Sequence, residues 1–226
     1  TAIPKYTPTA LTVYAAEVSG DFEVEKSEDS DGNAYCEIIK YNGNDTNLKL
    51  PSSFTIGNET LPLKSIYREA FKNCTSLHSV VIPEGVTQIG YEAFKDCTNL
   101  SDVTFPTTLT KMESYAFTGC PIKSLAINSS LSSGIFTSFD SDTIESITFG
   151  EKATIIPSRM CEGMTAIKTV TFSNGITEIG DSAFERCTSL TKIVLPDSVK
   201  KIGDYAFYGT GLTYVDIGNG VETIGY

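Results

Sequence analysis

Ile89-Gly90-Tyr91-Glu92-Ala93-Phe94-Lys95-Asp96-Cys97-Thr98-Asn99-Leu100-Ser101-Asp102-Val103-Thr104-Phe105-Pro106 returns, with substitutions, along most of the chain. Phe71, Phe94 and Phe117 are 23 residues apart, and so are Cys161, Phe184 and Phe207. A period in the twenties marks a stack of small units, none of which buries its apolar side alone. One copy sets apolar residues at Phe94, Leu100, Val103, Phe105, Leu109 and Met112; the copy before it has Phe71, Leu77, Val80, Ile82, Val86 and Ile89. A later copy repeats the row at Phe184, Leu190, Ile193, Leu195, Val199 and Ile202. The step of two from Val80 to Ile82, or from Val103 to Phe105, is that of a strand whose middle residue faces the other way. Pro83, Pro106 and Pro196 end these strands, where a missing donor costs little. Ala93-Phe94 and its equivalents follow a Gly or polar turn and suit one helical turn. Each unit therefore reads as a short strand, a Pro corner, an extended return and a tight turn. Successive strands pair in parallel and satisfy their backbone groups between units.

The rest of the chain is placed around this array. Thr1 to about Gly20, with Pro4, Pro8 and an apolar patch from Leu11 to Val18, reads as an extended leader. Phe22-Glu23-Val24-Glu25 alternates as a half-buried strand does, Asp31-Gly32-Asn33 is a hairpin signal, and Ala34 to Tyr41 resumes the extended pattern. Residues 1–47 are thus expected to be a leader and a β-hairpin capping the first repeat, since a stack needs a terminal unit with one polar face. Residues 48–226 are expected to hold about seven repeats of 22–23 residues, beginning with the strand Leu48-Lys49-Leu50-Pro51 and a longer loop through Thr60. The middle is irregular. Phe117, Phe139 and Cys161 are 22 residues apart, Asn128-Ser129-Ser130 replaces the Pro corner, and Leu131 to Phe139 carries extra apolar residues. Local repacking is favoured there over a specialised binding bulge. The chain stops at Ile224-Gly225-Tyr226, which matches Ile89-Gly90-Tyr91, just before the expected Ala-Phe. An array cut mid-repeat exposes a strand edge and an apolar end, so either more chain follows or this end associates with another molecule, end to end.

Composition narrows the partners. Lys+Arg 17 against Asp+Glu 28 leaves a net charge of −11. That excess argues against nucleic acid and against anionic membrane surfaces, both of which select for basic residues. No apolar run reaches the length of a spanning helix, so no membrane insertion is expected. No basic n-region and apolar h-region open the chain, and the start without Met reads as a mature or trimmed form. Cys74, Cys97, Cys120 and Cys187 share one repeat position, Cys161 stands where other repeats have Phe, and Cys36 precedes the array. Identical positions stack about one strand spacing apart with parallel Cβ vectors, which favours a column of free thiols over disulfides. No CxxC pair and no neighbouring histidine point to a metal, so no cofactor and no metal are expected.

Catalytic groupings are missing from the pattern. His78 is the single histidine and lies beside Leu77 at a strand entry, where a surface role is far more common than a base. Asp140-Ser141-Asp142 and Glu28-Asp29-Ser30-Asp31 lack EF-hand spacing and read as solvated turns before weak calcium sites. No phosphate-binding glycine loop occurs. Sequons such as Asn73-Cys74-Thr75 follow from the repeat itself and say nothing about glycosylation. No catalytic residue is therefore assigned, and the chain is read as a non-enzyme.

Two surfaces remain as binding candidates. The outward row of the strand face should align Ser79 and Val81, Asp102 and Thr104, Ser124 and Ala126, Ser146 and Thr148, Thr169 and Thr171, Lys192 and Val194, and Tyr214 and Asp216. Small, polar and flat, it suits contact with a protein or glycan better than a buried substrate. The second candidate is a set of tyrosines before Ala-Phe, namely Tyr67, Tyr91, Tyr115 and Tyr205, with packing over the neighbouring turn slightly favoured over an interface role.

The motif Ile-Gly-x-x-Ala-Phe-x-x-Cys-x-x-Leu-x-x-Val/Ile-x-Phe/Leu-Pro, seen complete from Ile179 to Pro196, resembles the BspA-like (Treponema pallidum-type) leucine-rich repeat. The resemblance spans about Leu48 to Tyr226. It departs from the family at Cys161, at Thr210 in place of Cys, and from Asn128 to Met164. It implies a right-handed leucine-rich repeat solenoid with a parallel β-sheet on one face and short or helical turns on the other. It also implies display on, or secretion from, bacterial cells, with adhesion to host proteins or other cells. The expected function is thus a non-enzymatic extracellular binding module for a protein of the host matrix or of another cell surface. The alternative is a structural spacer within a larger surface protein.

Overall fold

The computed structural model describes residues 17–226, so most of the expected leader lies outside the described residues. On one face a strand recurs in each repeat because each has a β-branched or aliphatic residue at the inward position. Ser79–Val81 pairs in parallel with Asn47–Lys49 on one side and Asp102–Thr104 on the other, setting Val80 against Val103 and Val81 against Thr104. Val80 is 1 % exposed and Val81 37 %, as strict alternation requires. The same pairing links Ser124–Ile127, Ser146–Phe149 and Thr169–Phe172, and then Lys192–Val194 and Tyr214–Asp216. The chain is a β-solenoid of about eight turns with parallel sheets.

The extended return is itself a strand. Gln88–Ile89 pairs in parallel with Glu59–Ile66 and with Lys111–Met112, and Ile155–Ile156, Glu178–Ile179, Lys201–Ile202 and Thr223–Ile224 form a matching sheet further along. Each regular repeat therefore contributes two strands, not one. A second difference lies at the turn holding Ala93-Phe94, which is not helical; the described residues contain no helix. The reason is where its backbone bonds go. Glu92, Phe94 and Asp96 donate their N–H groups to Ser114, Ala116 and Thr118 of the next repeat, while Ala93, Lys95 and Cys97 donate three residues back within the turn. Aiming alternate amides along the stack requires left-handed residues, and Glu92 (φ 54°) and Asp96 (φ 59°) supply them, as Glu69 and Asn73 do one repeat earlier.

Side chains complete the stack. Phe71 and Phe94 stack at 4.7 Å between centroids and 9° between planes, Phe94 and Phe117 at 4.9 Å and 4°, Phe117 and Phe139 at 5.2 Å and 7°. Cys161 interrupts the column, and Met160 and Met164, both fully buried, occupy the surrounding core. The column resumes with Phe184 and Phe207 at 5.6 Å. The irregular segment joins the same core: Leu131, Ile135 and Phe139 are buried, and the Ile135 N–H donates to Met160 in the next repeat at 3.0 Å.

At the N-terminal end Phe22–Glu28 and Ala34–Tyr41 form an antiparallel hairpin closed through Gly32 (φ 81°). Ala34–Tyr41 then pairs in parallel with Glu59–Ile66, and Tyr41 stacks on Phe71 at 5.1 Å, which carries the aromatic column into the hairpin. Glu17–Ser19 adds a further antiparallel strand to Phe22–Glu28. The loop expected through Thr60 is instead a second hairpin, Ser53–Ile56 with Glu59–Ile66, because Gly57 (φ 60°) turns the chain and Phe54 and Leu61 face the core.

One ion network ties two turns together. Glu92, with a side chain 9 % exposed, accepts from Lys72 of the preceding repeat at 2.6 Å and from Lys95 at 2.9 Å. The Lys72 ammonium, then that of Lys95, hold its carboxyl down to about 2.

Two expectations follow from this arrangement. Phe94→Ala removes a fully buried ring from the middle of the column and should cost about 3–5 kcal/mol, read as a large fall in Tm, whereas Thr104→Ala on the exposed face should leave Tm within error. A carboxylate depressed in the folded state contributes stability above its unfolded value of 4.5, and that contribution fades as pH falls through about 2. Thermal melts across that range should therefore decline with acid in the native chain and decline less steeply in Glu92→Gln, which should also melt lower at neutral pH.

Candidate binding surfaces

The predicted outward row lies where alternation puts it. Val81, Asp102, Thr104, Ser124, Ala126, Thr148, Thr169, Thr171, Lys192, Val194, Tyr214 and Asp216 are exposed, and Ser79 and Ser146 are half-buried. The row is divided among three sheets, with breaks after Asp102–Thr104 and after Thr169–Phe172. Several of its polar groups already bond along the stack: Ser79 Oγ donates to Asn47 Oδ1 at 2.7 Å, and Ser146 Oγ to Ser124 Oγ at 2.8 Å. Towards the far end Lys192 Nζ sits 4.8 Å over the Tyr214 ring. None of the row's residues lines the depressions of the second sheet.

The tyrosines are exposed but do not form a column. Counted back from the anchor Phe of its own repeat, Tyr67 is four residues away, Tyr91 three, and Tyr115 and Tyr205 two. Tyr115 (φ 61°) and Tyr205 (φ 56°) take the left-handed turn position that Glu92 holds, whereas Tyr67 takes the position of Gly90. Only neighbours in the offset set touch: Tyr91 meets Tyr115 edge to face at 5.8 Å.

A different feature escaped the sequence pattern. The second sheet carries a depression of about 470 Å³ whose walls include Glu37, Tyr67, Arg68, Gln88, Tyr91 and Glu113, with Gly90 at its floor. The repeat position of Gly90 explains it. Its backbone approaches the preceding repeat so closely that a Cβ would lie 2.8 Å from the Arg68 amide nitrogen, and the equivalent Gly180 and Gly203 are as constrained. Tyr67 and Glu113 occupy this same position in the flanking repeats, so a large side chain stands on each side of a bare backbone. Glu113 is held there by Lys111 Nζ at 2.7 Å, by Gln88 Nε2 at 3.1 Å and by the Tyr91 N–H at 3.1 Å. Glu37 accepts from the Tyr35 hydroxyl at 3.2 Å, and burial, ahead of the nearby Glu25 charge, raises its carboxyl above the ordinary range. Two further depressions, about 480 and 410 Å³, lie beside it around Gly134 and Leu131. The break of the Gly column at Tyr67 and Glu113 was the available signal.

The cysteines are free thiols built into the backbone ladder. Cys97 Sγ donates to the Phe71 carbonyl at 3.0 Å, Cys120 to that of Phe94 at 3.1 Å and Cys187 to that of Cys161 at 3.1 Å, each in the preceding repeat. Thr210, standing at this position, turns its hydroxyl to Phe207 of its own repeat at 2.8 Å. The Cys120 thiol, ahead of burial, pushes Cys97 up to about 12, and burial does the same to Cys187. The acidic turns are also structural: Asp29 accepts from Lys64 Nζ at 2.9 Å and from the Asn33 amide at 2.9 Å, and Asp140 accepts from the Gly119 N–H at 2.8 Å. His78 is exposed, its Nδ1 2.9 Å from the Ser76 carbonyl. Among the described residues no three His, Cys, Asp or Glu side chains gather as metal ligands, and no helix is long and apolar enough to cross a membrane.

The sequence profile described as "BspA type Leucine rich repeat region" matches residues 64–191 and 154–226, with six copies. A leucine rich cell surface protein from Faecalibacterium prausnitzii A2-165 is similar over 91% of this chain and 55% of its own length, at 26% identity and a TM-score of 0.60. This chain thus spans about half of that protein. The T. pallidum leucine rich repeat protein matches over 92% of this chain and 86% of its own, at 25% identity and a TM-score of 0.56. The pneumococcal vaccine antigen PcpA, at 18% identity and a TM-score of 0.52 over 92% of this chain and 51% of its own, shares the fold. No curated protein matches the chain.

Thiol titration with a disulfide reagent at pH 8 should leave the five buried cysteines unreacted in the native chain, with half-buried Cys74 reacting first and slowly, and should count all six after unfolding.

Proposed function

Because this chain belongs to the BspA-type leucine-rich repeat family, we propose that it is a non-enzymatic binding module of a bacterial cell surface that adheres to a protein partner through its strand face. Solenoids of this kind generally offer extended faces for protein contact, since the stack consumes the backbone bonds and leaves side chains to specify the surface. The observation that carries the proposal is the exposed row from Val81 and Asp102 to Tyr214 and Asp216, held in register by parallel pairing within each sheet. The net charge of −11 favours a basic partner surface, and Asp102 and Asp216 supply carboxylates on the row itself. Host extracellular-matrix proteins and proteins of another cell are the partner classes considered, and the site is extracellular. The absence of a base, a nucleophile pair or a phosphate loop in the sequence supports a non-catalytic role.

A spacer role within a larger surface protein is favoured by one observation, the self-satisfied hydroxyls of Ser79 and Ser146, which leave parts of the row with little to offer a ligand. Surface plasmon resonance against a panel of extracellular-matrix proteins distinguishes the two. The binding module predicts at least one specific partner whose Kd rises about tenfold or more in Asp102→Arg, with Tm unchanged because the residue is exposed. Retention of no partner, or equal affinity in the variant, favours the spacer.

A further inference from the structure

We infer that the second sheet carries a separate binding groove for a neutral, hydroxyl-rich polymer, a polysaccharide chain. Its three depressions are not isolated: the first and second share Tyr91 and Glu113 as a wall, and the second and third share Ser133 and Ser158. Together they make a furrow that crosses successive repeats, each step about 4.8 Å. A furrow of this kind accepts an extended chain and not a compact ligand.

Charge selects the class of chain. The protein carries −11 overall, yet in the furrow Glu37 and Glu113 stand against Arg68, Lys111 and Arg159. The local balance removes the preference for a basic segment that the rest of the surface has. With Glu113 already bonded by Lys111, Gln88 Nε2 and the Tyr91 N–H, what remains is a mixed set of donors and acceptors: the guanidinium groups of Arg68 and Arg159, the Gln88 amide oxygen, and the hydroxyls of Ser133 and Ser158. That is the inventory for hydroxyl groups. The rings of Tyr67 and Tyr91, 47 % and 36 % exposed beside the bare Gly90 floor, provide flat apolar surface for the C–H face of a sugar ring. A peptide cannot add here as a further strand, because Gln88–Ile89 is paired on both sides.

The test is titration of the isotope-labelled intact chain with maltohexaose, cellohexaose and xylohexaose, and with hexa-arginine as the competing class, followed by amide NMR. At least one oligosaccharide should shift Gly90, Tyr91 and Ser133 together, and the Tyr67→Ala/Tyr91→Ala variant should weaken it about tenfold or more. Arg159→Glu, in the second depression, gives the same reading should the double variant fold poorly. Asp102→Arg should bind the oligosaccharide unchanged, which separates this groove from the strand face. Binding by none of the three sugars at millimolar concentration, shifts confined to the strand face, or binding of hexa-arginine alone would overturn the inference. Failure of all three sugars leaves the protein-binding reading standing, because that reading rests on strand-face residues and is tested by Asp102→Arg against protein partners.

Discussion

The structure depends on one contact repeated along its axis, the seating of each anchor ring on the ring of the next repeat. At 4.7–5.2 Å the rings from Phe71 to Phe139 are spaced like neighbouring strands, so the aromatic column and the parallel sheets share a period. The turn that carries each ring is shaped to make this possible. Its alternate amides point along the stack and bind carbonyls of the following repeat, and the buried thiols add a donor each to the same inter-repeat ladder. A helical turn would direct those amides back into its own repeat and leave the stack without rungs.

Because backbone bonding runs between repeats, the two faces are free to differ in side chains. One face presents a row of mostly small and polar residues, with Val81, Lys192, Val194 and Tyr214 among them, interrupted at two places. The other has its relief decided by a single repeat position, where glycine is required for close approach and where Tyr67, Glu113 and Pro157 depart from it. The relief around Gly90 thus comes from exceptions to the repeat. The irregular segment from Asn128 to Phe139 belongs to the same account: Leu131, Ile135 and Phe139 enter the core, whereas Ser130, Ser132, Ser133, Gly134 and half-buried Phe136 line the second and third depressions.

The ends of the column show how the stack is completed and where it tolerates change. Tyr41 replaces Phe at the first step, keeping the ring contact while its hydroxyl reaches Asp45 at 2.6 Å. Cys161 breaks the column, and two methionines adapt around the smaller side chain, as an unbranched thioether can. The backbone rungs continue through this repeat, since Cys161 still donates to Ala183 at 2.7 Å. The ladder therefore spans a place where the rings do not.

By itself the sequence determined the repeat, its inward residues, the parallel pairing and the alternation that exposes Val81 and Thr104, because these follow from a period of 23 and a step of two. The hairpin at Asp31-Gly32-Asn33 was equally legible, a local signal read from local chemistry. The tertiary structure alone decided the left-handed turn, the second strand of each repeat and the hairpin at Gly57, since two-residue strands and inter-repeat amide bonds leave no periodic trace in one chain segment. It also decided that Tyr91 meets Tyr115 edge to face and that a furrow opens beside Gly90. The depression beside Gly90 lies where neighbouring repeats differ at one position, and that contrast becomes a shape once the repeats are stacked.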